Sequence, residues 1–124
     1  MNALVVEWMQ KAAGDLTVAE RELRARKAPV YDASCYHAQQ CAEKYLKAFL
    51  VSVKHTPPRI HNLVGLLNDC LSYDTTFDLI RLDLELLNAY AVEIRYPGDF
   101  ATKEEARDAV RAARRVQQFV RPKL

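Results

Sequence analysis

An all-α fold is the expectation for this chain: an antiparallel up-down helical bundle of four long helices plus one short helix, in a single domain over residues 1–124. Three features of the sequence lead there. Apolar residues recur at spacings of three and four through five separate stretches, and no stretch alternates with the period of a strand. The breaks between stretches carry residues that stop helices: Pro29, the Pro57–Pro58 pair and Pro97–Gly98. Connections this short oblige successive long helices to pack antiparallel.

The first helix is expected from a cap at Asn2 to about Arg26, with Val5, Trp8, Ala12, Leu16, Ala19 and Leu23 on one face. Gly14 sits inside it, at a cost of about 1 kcal/mol relative to alanine. After a connection at Lys27–Val30 comes Tyr31–Lys54, the helix around which the chain is organised. Tyr31, Cys35, Ala38, Ala42, Tyr45, Phe49 and Val53 share one face of it. Small residues alternate with rings there, so a neighbour can come close at Cys35, Ala38 and Ala42. Tyr36, Gln40, Glu43, Lys47 and Lys54 fall opposite and are expected to be wet. His37, Cys41, Lys44 and Ala48 form a polar shoulder between the two faces.

A short third helix, His61–Ser72, turns Leu63, Leu66, Leu67, Cys70 and Leu71 inward. Asp74, Thr75 or Thr76 caps a fourth from about Phe77 to Ile94, whose face is Ile80, Leu84, Leu87, Tyr90 or Ala91, and Ile94. Thr102 with Glu105 three residues on is a capping box for the last helix, which buries Ala106, Ala109, Val110, Ala113, Val116 and Val120.

A chain of this length buries a core without disulfides or metal, and its three cysteines fit a reducing compartment. No apolar run reaches the length of a membrane span and no signal peptide is visible, so the cytoplasm is the expected address. The net charge of +2 gives no global argument for nucleic acid. Its placement is uneven. Between Asp74 and Ile94 the acids Asp74, Asp78, Asp83, Glu85 and Glu93 face only Arg81, a local charge of −4. Between Lys103 and Leu124 the balance is +4, and Arg107, Arg111, Arg114 and Arg121 form one stripe opposite the apolar face of the last helix. That stripe reads either as a solvated face paired with the acidic fourth helix or as a track for phosphates.

Several stretches together resemble a known family. YHAQQCAEKYLKAFL is similar to the signature second helix of HEPN domains (higher eukaryotes and prokaryotes nucleotide-binding), and HNLVGLL to their third. AYAVEIRYPGDFATKEEARDAVRAARRV resembles the end of the fourth helix, the Arg-Tyr-Pro turn and the last helix, and EWMQKAAGDLTVAERELR the first. The resemblance implies an all-α bundle, frequently a homodimer, often encoded beside a minimal nucleotidyltransferase in toxin–antitoxin-like pairs. It also implies a test for ribonuclease activity, because many HEPN ribonucleases carry Arg, four to six residues, then His. Here Arg95 is followed at those positions by Phe100, Ala101 and Thr102, and no Arg stands at the required distance before His37, His55 or His61. Cleavage through a 2′-hydroxyl needs a proton acceptor near neutrality and a cation for the phosphorane charge, so the missing spacing argues against catalysis.

Four residues are candidates for binding a nucleotide or RNA phosphate: His37 and Lys44 on the shoulder, and Arg95 and Tyr96 at the end of the fourth helix. Arg95 offers a bidentate phosphate contact and Tyr96 a stacking ring. The alternative for His37 is a boundary histidine bonded within the fold, for Lys44 a snorkelling stem, and for Arg95 a cation at a helix C-terminus. His61 reads as structural. His37 and Cys41 have helical ligand spacing, yet no CxxC or HxxxH pair supports a metal, and no cofactor is expected. The expected function is therefore a non-catalytic, homodimeric HEPN-domain protein that binds a nucleotide, RNA or a minimal nucleotidyltransferase. The alternative is a metal-independent ribonuclease toxin with a displaced His/Arg site.

Overall fold

The computed structural model describes residues 1–91 and 96–124. Helix α1 (Ala3–Arg24) opens on Asn2, whose side chain accepts from the Leu4 amide at 2.7 Å. It stops two residues before the expected Arg26, because Ala25 is extended and Glu22 reaches out to take the Val30 amide at 3.0 Å. Helix α2 (Tyr31–Ser52) closes ahead of the prolines: Lys54 adopts a left-handed conformation (φ 63) and the His55 amide returns to the Leu50 carbonyl at 2.9 Å. Helix α3 (Leu63–Leu71) begins two residues later than expected, since the Asn62 side chain accepts from the Val64 and Gly65 amides and fixes the start.

The fourth segment opens differently from the sequence expectation. Residues Thr75–Ile80 form a 3-10 turn, and the α-helix proper, α4, spans Arg81–Asn88. Of the three candidate caps Asp74 is the one used. Its Oδ1 takes both the amide and the hydroxyl of Thr76, while Oδ2 receives Lys123 Nζ at 2.7 Å. The expected continuation through Ile94 stops early: α4 ends at Asn88, residues 89–91 are turn and bend, and residues 92–95 lie outside the described residues. Helix α5 (Lys103–Val120) begins with the expected capping box, in which Thr102 and Glu105 each accept from the other's amide. A 3-10 turn, Arg121–Lys123, ends the chain.

Cross-helix bonds give the directions. Ser34 donates to the Ala19 carbonyl and Lys44 to Asp15, so α1 and α2 are antiparallel. Lys123 meets Asp74 and Arg115 meets Asp83, so α5 opposes α4. Asp32 accepts from the Ala101 amide and Tyr45 from Gln117, so α2 and α5 run side by side in the same sense, as diagonal members of an up-down bundle. Small residues line the buried sides of both helices, so they can approach closely: Cys35, Ala38 and Ala42 of α2 and Ala109, Ala112 and Ala113 of α5 are all fully buried. Phe77 closes one end, its ring 4.5 Å from that of Phe49 and 5.1 Å from that of Phe119.

One sequence expectation is corrected. Glu43 and Lys47 are 3% and 6% exposed, so the middle of the face of α2 expected to be wet is enclosed, whereas Lys54 is exposed as expected and Tyr36 and Gln40 are half-buried. The other helices and the 53–62 connection surround α2, leaving it no broad solvent side. Among the described residues no helix is long and apolar enough to cross a membrane.

The clasp at Asp74 gives a pH dependence. Hydrogen bonds from Lys123 and Thr76 hold its carboxyl at about 2, below the usual 3.8. A depressed carboxylate stabilises the fold above its unfolded value, and that contribution is lost as pH falls through the folded one. Acid titration of wild type should therefore lose stability between roughly pH 4 and pH 2 with a component that Asp74→Asn lacks, measured by chemical denaturation at each pH.

Candidate functional site

The polar shoulder of α2 is organised by an acid from α1. Asp15 lies three residues after Ala12 and four before Ala19, both fully buried, and this spacing turns its carboxylate against α2. Its Oδ1 is 2.8 Å from His37 Nδ1 and its Oδ2 is 2.5 Å from Lys44 Nζ. All three side chains are largely buried, and Cys41 lies fully buried one turn from His37. Burial, and after it the negative charge of Asp15, pushes the Cys41 thiol far up, so it stays protonated and inert as a nucleophile. His37 and Lys44 are thus brought together, seven residues apart on one helix, by a shared counter-charge. On sequence grounds His37 and Lys44 are expected close to Arg95 and Tyr96, with Asp99, Glu93 or a bound anion joining the cations there. The acid that joins His37 to Lys44 is Asp15, and its signal is an acid at helical spacing within the buried side of the first helix.

With Nδ1 against a carboxylate, the ring proton of neutral His37 belongs on Nδ1 and Nε2 carries the lone pair. Protonation makes Nε2 a donor as well. The cluster is then neutral with the neutral ring and carries one net positive charge with the protonated ring.

A second polar cluster lies on the other side of α2. Lys47 Nζ is 3.2 Å from Glu43 Oε2 and 5.7 Å from the centre of the Trp8 ring. Glu43 Oε1 is 3.0 Å from His61 Nδ1, and Gln39 donates to the His61 carbonyl at 3.1 Å. His61 therefore fastens the connection between α2 and α3 to the buried pair, as its structural reading implies. The remaining histidine, His55, has Nδ1 2.7 Å from the Tyr73 hydroxyl.

Arg95 lies outside the described residues. Tyr96 is 83% exposed and makes no hydrogen bond or ring contact with His37 or Lys44. Phe100, at one of the positions where the ribonuclease motif requires histidine, is 75% exposed beside the start of α2, where the Ala101 amide is held by Asp32 at 2.7 Å. Among the described residues no group of three His, Cys, Asp or Glu side chains could hold a metal ion.

The arginine stripe of α5 is exposed, and among the described residues it is not paired with α4. The arginine that meets Asp83 of α4 is Arg115, on a neighbouring line of the helix. Within the stripe Arg114 reaches Glu20 of α1 at 3.1 Å and Arg111 approaches Asp108 at 3.9 Å.

Removing Asp15 should leave His37 Nδ1 and Lys44 Nζ without the carboxylate that both of them meet. Asp15→Ala is expected to lower unfolding free energy in urea by about 1.5–3 kcal/mol. His37→Ala in the Asp15→Ala background should cost less than in wild type, because the two share one interaction.

The HEPN domain model matches residues 5–123 of the chain. Among solved structures, the crystal structure of TT1696 from Thermus thermophilus is similar, with a TM-score of 0.84 and 26% sequence identity over 97% of this chain and 98% of that one. No curated protein matches. With the family model spanning nearly its whole length and the helical bundle in place, this chain belongs to the HEPN domain family.

Proposed function

We propose that this protein is a non-catalytic HEPN module that works as a homodimer and binds a nucleotide, an RNA phosphate or a minimal nucleotidyltransferase in a toxin–antitoxin-like pair. One observation carries the assembly. Leu79, Leu82 and Leu86 stand at helical spacing along α4 and the turn before it, on the side away from buried Ile80, Leu84 and Leu87, and the first two are 78% and 79% exposed. A row of leucines in water is unfavourable unless a partner covers it. A second copy fits by charge. Asp78, Arg81 and Glu85 run along one edge of the row, and an antiparallel two-fold crossing near Asp83 sets Arg81 of each copy beside Glu85 of the other.

The non-catalytic part is supported by the absent Arg-to-His spacing, with no arginine four to six residues before His37, His55 or His61 and no histidine at the matching distance after Arg95. For the phosphate we propose His37 and Lys44, with Arg95 and Tyr96 as the further candidates. Asp15 offsets one of the shoulder's charges, so the attraction there is that of a single cation at most.

Light scattering at tens of micromolar should give a mass near twice the 14.2 kDa of the chain, and Leu82→Asp should halve it. A monomeric wild type would end the dimer reading. Purified protein should leave single-stranded RNA and tRNA intact with or without divalent metal. Cleavage that His37→Ala abolishes would make the ribonuclease alternative the correct one.

A further inference from the structure

We infer that His61 is a site of phosphoryl transfer, its Nε2 taking a phosphoryl group from a donor that carries it on nitrogen. This goes beyond the proposed function, because it uses neither the His37–Lys44 shoulder nor the leucine row of α4. The chain has three histidines, and their surroundings differ at the two ring nitrogens. His55 has Nδ1 on the Tyr73 hydroxyl and Nε2 3.9 Å from Asp69 Oδ2, so each nitrogen meets a polar group. His37 has a carboxylate at Nδ1, but its side chain is only 27% exposed and its ring lies against Tyr36, with centroids 5.3 Å apart. His61 has Nδ1 3.0 Å from Glu43 Oε1 while 69% of its side chain stays exposed. Its Nε2 makes no hydrogen bond among the described residues. Of the three, His61 is the one that combines a carboxylate behind one nitrogen with an open approach to the other.

The ring is also fixed in place. Gln39, fully buried, donates to the His61 carbonyl at 3.1 Å, and the next residue, Asn62, caps α3. A carboxylate at Nδ1 keeps the ring proton there and leaves the Nε2 lone pair directed outward. Glu43 is held to this task, since it is buried and its other oxygen receives Lys47 at 3.2 Å.

The step balances with phosphoramidate as the donor. The Nε2 lone pair attacks phosphorus in line with the donor's P–N bond; that bond breaks, and ammonia leaves with its electron pair. The product ring is phosphorylated at Nε2 and protonated at Nδ1. Positive charge therefore develops on the imidazole as the new bond forms, and the Glu43 carboxylate already lies against the nitrogen that carries the proton. The phosphoryl dianion meets two weaker attractions. Arg59, two residues back, is exposed and has no ion pair among the described residues, and the positive end of α3 begins two residues on. Exchanging one P–N bond for another is close to balanced in energy, so a phosphorylated histidine of a partner protein belongs to the same donor class. A phosphate ester holds its phosphoryl group too firmly.

The test is incubation of the full chain with potassium phosphoramidate, followed by phosphorus NMR and by mass spectrometry without acid, because P–N bonds are acid-labile. One phosphoryl group per chain is expected, on His61 Nε2, with His37 and His55 reacting about tenfold more slowly or less. N-acetylhistidine, with both nitrogens free, should give both isomers, about tenfold more slowly than His61 gives its one. Glu43→Gln should slow His61 about tenfold and let the Nδ1 isomer appear, a change that loosened packing does not produce. His61→Gln alters an exposed side chain, so it should keep its helical content by circular dichroism and lose the modification. Removing Glu43 strands Lys47 in the interior, and that variant can fail to fold; the isomer and the three rates in the unaltered protein then decide. A rate at His61 no faster than that of N-acetylhistidine would mean exposure and nothing more, and would overturn the assignment. So would modification at Nδ1, or a faster reaction at His37 or His55. The dimer reading stands or falls separately, on mass.

Discussion

Enclosure of α2 is the constraint on which the rest of this structure depends. A 22-residue helix largely surrounded by its neighbours must satisfy the polar side chains it buries, Ser34, Gln39, Glu43 and Lys47, without help from bulk water. The chain meets this demand in two ways. Where α2 faces α1, Asp15 supplies one carboxylate to both His37 and Lys44. Where the 53–62 connection crosses it, Glu43 and Lys47 neutralise each other one turn apart, and His61 and Trp8 cover them. A buried charge left alone costs several kcal/mol, so these clusters set the rotation of α2 as firmly as its apolar face does.

Much of this is legible in the sequence. Apolar spacing marks the inward faces of α1 and α5, and Thr102 with Glu105 fixes the start of the last helix because a capping box is a local device with a fixed three-residue register. Other local devices, which apolar spacing does not report, account for the shifted ends. Asn62 caps α3 in the way that Asn2 caps α1, and Asp74 tightens the residues after it into a 3-10 turn by holding both donors of Thr76. Periodicity fails at Glu43 and Lys47 for a different reason. A pattern along one helix reports its own polarity, whereas enclosure depends on how many neighbours that helix has. Spacing finds His37 and Lys44, but their partner belongs to another helix, and only tertiary packing shows that Asp15 is shared.

The two basic regions of the molecule differ in kind. On the shoulder, positive charge is matched inside the fold, by an acid within hydrogen-bonding distance of both groups. On α5, positive charge is arranged along an exposed line with too few acids to cancel it. Charge used to hold helices together has little left for a ligand, and charge left in water can exchange its counterions for a polyanion. A net charge of +2 conceals this division, since the acids between Asp74 and Ile94 offset the last helix in the total while, among the described residues, meeting Arg115 and Lys123 instead of the stripe.

The small-residue seam between α2 and α5 has a consequence for how the sequence can vary. Alanine and cysteine at Cys35, Ala38, Ala42, Ala109, Ala112 and Ala113 bring two long helices close together, and each of these side chains is fully buried. An added methylene at any of them cannot be absorbed locally, because the whole helix must move outward to admit it, typically at about 1–3 kcal/mol. That movement would also strain the bonds from Gln117 to Tyr45 and from Ala101 to Asp32, which tie the same two helices near their ends. The seam therefore behaves as a single steric unit. Enlarging one position requires a compensating reduction across from it, so substitutions here are tolerated in pairs or hardly at all.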